Sequence, residues 1–471
     1  MDDNFFLQHS IGKILELYKK KEISPVDIAR VCINRSAQLD YHHVWEHFDE
    51  KKLLKQALES EKRLMKGVSL GALEGIPIGI KDIFNTKDFP TQMGSCLWKG
   101  FTPGNDARVV FNVKEAGAII PGKTSAAEFG VHALSATLNP HNILKTPGTS
   151  SSGSAVGIAL GMIPVALGSQ TAGSIVRPAS FCGVYGMKPS FGLIPRTGVL
   201  KTSDTLDSIG FFTIHFEDME RVLRVLKVNG ADYPIANKAF YKLNHARKKR
   251  LRILVAKTHT WMHVAPYAKQ CFESWINKLT SDSGLEVTEA PLPSILERAH
   301  EVHTVIYNKS LAYYFKKEYE KKEFISSRMC EMIEAGEKIT LEEYRQALEE
   351  QASMVKIMDN FLALFDMGVS LSTSSVAPNR GEIENPDPSL MWTMTYVPVV
   401  SAPAFTGEGA LPFGIQLFAK RYNDLQLLNG LSYLVSRHFL PSSAYPKCLF
   451  NLNDSNVSKS VSSKSELNCV E

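Results

Sequence analysis

Apolar residues recur at two spacings along this chain, and the switch between them marks helices and strands. Ile11, Ile14, Leu15 and Tyr18 fall three and four apart, one face of a helix. Ser24-Pro25 starts a second helix, with Ile28, Val31, Cys32 and Ile33 on its apolar side. Residues 49–66 read as a third, strongly charged on one face. Then the period shortens. Residues 75–82, GIPIGIKD, are apolar, β-branched and glycine-bounded, a buried strand that ends on Lys81. Residues 105–117 read as a helix and 118–120 as a strand. Residues 251–256, 368–372 and 413–417 read as further core strands, and 227–350 as largely helical.

The stretch at residues 147–178 departs from both patterns. A Ser-rich turn, GTSSSG, leads into a continuous small and apolar run, and a second polar turn, GSQTAGS, closes it. A flexible linker has no use for Ile158, Leu160, Met162, Ile163, Val165 and Leu167, so two hydroxyl clusters sit at the ends of buried elements. From Asn451 the composition collapses to Ser, Asn, Lys and Val without periodicity. The organisation expected is one domain over residues 1–450 and a disordered tail over 451–471.

Composition narrows the class. The 471 residues, 44% hydrophobic and 22% charged, suit a large globular core. A net charge of +4 is small for this length and gives no support for nucleic-acid binding. The basic run at 247–250 reads as a solvated strand entrance. Seven scattered cysteines, an odd number with no C-x-x-C, argue against a disulfide framework or zinc knuckle and favour a reducing, cytoplasmic compartment. No hydrophobic signal core follows the acidic start, and the longest apolar run, 157–168, is too short for a bilayer and contains Pro164.

Several motifs compete for the chemistry. Residues 117–124, GAIIPGKT, fit the phosphate-loop pattern, with Asp366 as a conceivable acidic partner. Yet a charged helical stretch precedes Gly117, and the loop positions are apolar and β-branched, as in a strand. His42, His43 and His47 read as a surface turn beside a core Trp45, without acidic or cysteine partners at ligand spacing. His300 and His303 are three apart, which suits a helix face and not H-E-x-x-H. Lys81 alone suits a strand-end lysine reaching solvent. With two serine turns downstream it suits a buried amine, whose desolvation leaves it neutral and able to take a proton.

Residues 75–82, the two serine turns, 182–189 (CGVYGMKP), 206–210 (LDSIG) and 419–424 (AKRYND) together resemble the amidase signature enzymes, serine hydrolases with a Ser–Ser–Lys triad. The resemblance spans most of the chain, and its core is 75–210. It implies an α/β fold: a large, twisted, mostly parallel mixed sheet with helices on both faces. It also implies hydrolysis of a small-molecule carboxamide, without metal or other cofactor, and leaves room for a homodimer. The triad falls on Lys81, Ser150 and Ser174, the serines 24 positions apart as in the family. Ser174 is then the acyl nucleophile, and Ser150, behind a cis peptide bond, relays its proton to neutral Lys81. Ser151 supports them. Backbone N–H groups of Thr171, Ala172, Gly173 and Ser174 form the oxyanion hole. Phe129, His132, Trp392 and Tyr396 fall near the family's pocket segments. One feature departs from the common pattern. The Asp four before the nucleophile and the Arg two after it are Gln170 and Val176, and an arginine appears one later as Arg177. A second reading, the ammonia-donating glutaminase subunit of a transfer-RNA amidotransferase, is disfavoured by Gln170. A nucleotide-binding protein using 117–124 is a remote third.

Overall fold

Serine caps and buried apolar faces set the N-terminal helices. Ser10 caps Ile11–Lys20, and Ser24 closes a capping box with Asp27 on Pro25–Gln38. Ile11, Ile14, Leu15 and Tyr18 are buried, as their spacing requires. The computed structural model describes residues 2–67, 70–230, 250–382 and 384–444. The proposed tail, Cys448, Cys469 and residues 247–249 of the basic run lie outside these.

Among the described residues eleven strands form one sheet: β1 (Trp45–Phe48), β2 (Ile78–Lys81), β3 (Gly122–Thr124), β4 (Val165–Gln170), β5 (Tyr185–Lys188), β6 (Ser208–Thr213), β7 (Leu251–Val255), β8 (Leu285–Glu289), β9 (Met367–Leu371), β10 (Val399–Thr406) and β11 (Pro412–Phe418). Their spatial order is β1-β3-β2-β4-β6-β5-β10-β11-β9-β7-β8. The large mixed sheet flanked by helices is as expected, but its parallel share is smaller. Pairs β2–β3, β2–β4, β7–β8 and β7–β9 are parallel, and the other six are antiparallel. The run from β4 to β9 is antiparallel throughout, and its β10–β11 link over 407–411 is too short for a parallel crossover.

Three local expectations shift. The helix expected over 105–117 is Arg108–Glu115, because Asp106 is held in the preceding loop by Lys87 N at 2.9 Å and by Lys114 Nζ. The strand expected at 118–120 becomes β3 at Gly122–Thr124; before it, Ile119 makes only an isolated bridge, donating to Ile76 O and accepting from Ile78 N, and Pro121 has no N–H to carry that ladder on. Trp45 is half-buried on edge strand β1, donating to Ser36 Oγ at 3.1 Å, while His42 is the buried member of its cluster. Among the described residues no group of histidine, cysteine or carboxylate side chains has metal-site geometry, and no helix is long and apolar enough to cross a membrane. Among the described residues the five cysteines form no disulfide.

The helix Ser152–Ala159 and β4 are the buried run of residues 147–178. Every residue of the helix is buried, because it packs behind β2, β3 and β4 with no solvent face. Both serine turns are thereby set at the same end of the sheet as the C-terminus of β2.

Candidate active site

Lys81 is the last residue of β2 and has no exposed surface. Its Nζ lies 2.8 Å from Ser150 Oγ, 3.0 Å from Ser151 Oγ and 2.9 Å from Ser169 Oγ. Burial pushes the amine from 10.5 down to about 7, and the Asp207 carboxylate limits the fall. Ser151 also spends its own proton, donating to Ser169 O at 3.2 Å. A neutral amine has two N–H groups and one lone pair. With Ser151 able only to accept from it, the lone pair is free for a hydroxyl such as that of Ser150. Ser150 follows a cis Thr149–Ser150 peptide, and Gly148 enters the turn at φ 85°, open to glycine without strain.

The second turn follows β4. Gln170 sits at the strand's end, and its Oε1 accepts from Ile175 N at 2.9 Å and Val176 N at 3.0 Å. Its Nε2 donates to Thr393 Oγ1 at 3.1 Å, and Thr393 Oγ1 donates to Ala172 O at 2.8 Å. A neutral amide thus ties both ends of the turn where the family commonly has a carboxylate. Among the described residues, the N–H groups of Thr171, Ala172, Gly173 and Ser174 donate to no protein acceptor. Ser174 is 6% exposed, and its Oγ makes no hydrogen bond within them, to Ser150 or otherwise. Lys81, Ser150 and Ser151 are therefore joined, and the last link to Ser174 is not closed.

Arg177 takes up what the shifted arginine position allows. Its Nη2 donates to Thr149 O at 3.0 Å, bracing the first turn, and its Nη1 lies 2.7 Å from Glu384 Oε2 and 3.5 Å from Asp387 Oδ2. The charge is paired with residues far away in sequence, and not with position 170.

A cleft of about 700 Å³ opens beside the two turns, with Thr149, Ala172 and Arg177 in its wall. His132 lines it, its ring held neutral by burial and by Arg177 at about 3. Phe129 lines instead a small cavity of about 40 Å³ that also touches Ser169 and Thr171, and packs on Phe315 at 4.9 Å. The other two expected lining residues belong elsewhere. Trp392 is wholly buried, stacked on Phe418 at 3.8 Å, because a large apolar ring there completes the core. Tyr396 stacks on Phe191 at 4.2 Å beneath Arg421 and borders neither cavity.

The roles of four participants are not visible in the sequence. Ser169, Asp207 and His303 lie in stretches that the sequence singles out (168–174, 206–210 and the 300/303 pair) but without a role there, and Thr393 lies in none. His303 approaches Thr171 O with Nε2 at 3.0 Å, and Asp207 accepts from Thr171 Oγ1 at 2.8 Å. Only the polar character of Ser169 within an apolar strand is a signal. The Gly-Lys-Thr of residues 122–124 is strand β3 itself, with no loop to wrap a phosphate. Lys123 is buried and paired with Asp82 at 3.0 Å, and Asp366 is bound to Arg252.

A buried lysine joined to two adjacent serines thus stands near a turn whose amides meet no acceptor among the described residues. The family model described as Amidase matches residues 27–428. The chain belongs to the amidase family, the amidase signature enzymes, which act on C–N bonds in amides. A glutamyl-tRNA(Gln) amidotransferase subunit of Heliobacterium modesticaldum is 29% identical over 457 residues, 88% of this chain and 93% of that one. A crystal structure of an amidase superposes with TM-score 0.82 at 25% identity, covering 91% of this amidase and all of its own chain. The native peptide amidase of Stenotrophomonas maltophilia shares the fold, with TM-score 0.79 at 22% identity, over 93% of this chain and 98% of its own.

Proposed function

We propose that this amidase hydrolyses a carboxamide through an acyl-enzyme on Ser174, with Ser150 relaying protons to neutral Lys81. The observation that carries this reading is the Lys81 amine, buried without a carboxylate contact and held by three serine hydroxyls. A charged ammonium is costly in that setting, and a neutral one is a base near pH 7. Ser174 gives its proton to Ser150 as it attacks, and Ser150 passes its own to Lys81. The amide N–H groups of residues 171–174 take the oxygen's developing charge, each worth about 2.7–4 kcal/mol in such sites. Protonated Lys81 then returns the proton through Ser150 to the departing amine, and water repeats the sequence on the ester. The open Ser150–Ser174 link is compatible with this, because catalytic hydrogen bonds often tighten only around substrate.

Quenched turnover of a para-nitroanilide tests the reading. Burst release of amine and a mass increment on the peptide containing Ser174 are expected. Linear release without an adduct would refute it.

The names of the relatives favour a second reading, an amidotransferase subunit that releases ammonia from glutamine. Gln170 and Val176 in place of the common pair weigh against it. Glutamine turnover that begins only when a partner protein is added would favour this reading over a free-standing amidase.

A further inference from the structure

The wall beside the nucleophile turn carries unmet acceptors as well as an unmet donor among the described residues, the Nε of Arg177. His303, 5% exposed, can only donate Nε2–H to Thr171 O, since a carbonyl has no proton to give. Burial keeps the ring neutral, with its pKa lowered to about 4. Nδ1 is then a bare lone pair on a residue that lines the cleft, and no donor among the described residues meets it.

Asp387 is the second such group. Its side chain is 8% exposed, and Oδ1 accepts from Ser389 N and Oγ at 2.8 and 2.7 Å. Oδ2 accepts no hydrogen bond among the described residues and lies 3.5 Å from Arg177 Nη1. This oxygen presses on Gly173: a Cβ there would come within 1.7 Å of it. Glu384 shares the same arginine nitrogen. One guanidinium, already spent on Thr149, thus faces two carboxylates. The other arginine of the cleft, Arg328, is met by Glu331 at 3.0 Å. A negative charge is left over next to the turn that bears Ser174.

We propose that the substrate of this amidase carries a protonated amine, received by Asp387, Glu384 and His303. An ammonium offers several N–H donors and the missing positive charge, whereas a carboxylate-bearing amide meets repulsion and lone pairs. The inference rests on the acyl-enzyme reading and adds its substrate class, an amino-substituted carboxamide.

Ammonia release from glycinamide, β-alaninamide and γ-aminobutyramide is compared with that from acetamide, propanamide, butyramide and succinamate, at low and high salt. At least one amino amide should exceed its uncharged counterpart in kcat/KM by about tenfold or more, the ratio that 1.4 kcal/mol supplies. The preference should shrink with salt and in Glu384→Gln, and succinamate should be poorest. Asp387→Asn serves as the second variant, since it keeps an acceptor for Ser389. Neutral amides turned over as well as amino amides, with Ser174 still labelled by a fluorophosphonate, would overturn the substrate class and leave the acyl-enzyme reading standing. A preference unchanged in both variants would also overturn it. Absence of turnover together with absence of labelling would remove the acyl-enzyme reading, and this inference with it.

Discussion

Lys81 Nζ stands 2.8 Å from Ser150 Oγ and 3.0 Å from Ser151 Oγ, so one amine is shared by two serines adjacent in the chain. Their roles differ because Ser151 has already given its proton to Ser169 O. Of these two, only Ser150 is free to donate to the amine's lone pair. Ser150→Ala should therefore lower kcat by about 10²–10⁴-fold, the worth of a proton-transfer group. Ser151→Ala and Ser169→Ala should each cost only about 2–12-fold, the range of one ordinary hydrogen bond. Equal losses in the three variants, in steady-state kinetics, would contradict this division.

The pH profile follows from the burial of Lys81. On the proposed mechanism its neutral form is the base, and burial places the pKa at about 7. In free enzyme kcat/KM should rise with pH up to about that value, and level off above it. The sign is that of a group active when deprotonated. Lys81→Arg should be inactive at every pH measured, because a guanidinium keeps its proton. A rate that falls between pH 6 and 8, with the wild-type fold intact, would exclude an amine base with this pKa.

Gly173 has no room for a side chain. A Cβ there would lie 1.7 Å from Asp387 Oδ2 and 2.8 Å from Ser389 Oγ. Gly173→Ala must displace the turn, and with it the N–H groups assigned to the oxyanion. A loss of about 10²–10³ in kcat is expected, the cost of one such donor. Circular dichroism separates this from unfolding.

Gln170 braces the same turn through two backbone amides and Thr393. Gln170→Ala leaves the buried N–H groups of Ile175 and Val176 without that acceptor. Denaturant unfolding should show a loss of about 2 kcal/mol or more, given 1–3 kcal/mol per unsatisfied group. A neutral result would mean that water or a shifted helix start replaces the amide.

The sheet and the lysine end of the site are legible in the sequence because they depend on local pattern. The buried strand ending on Lys81 and the buried run between two serine turns are each local patterns, whereas the role of the lysine is legible only once it is read with the serine turns downstream. The strand expected at 118–120 starts later because Pro121 has no N–H to carry on the ladder that Ile119 begins with Ile76 and Ile78. Trp392 and Tyr396 carry ring chemistry that suits pocket or core equally, and the choice is made by Phe418 and Phe191. His303, Thr393 and Asp387 reach the turn from more than 120 positions away, a distance at which no spacing rule operates. Arg177 is visible as a departure from the common pattern, but its partners Glu384 and Asp387 are not.

Labelling with a fluorophosphonate tests the central claim most directly. Wild-type protein should take up one probe per chain, on Ser174. Ser174→Ala should take up none, and Lys81→Met should react far more slowly while keeping its fold. Labelling that persists in Ser174→Ala, or a wild-type adduct mapped to Ser150, would contradict the account.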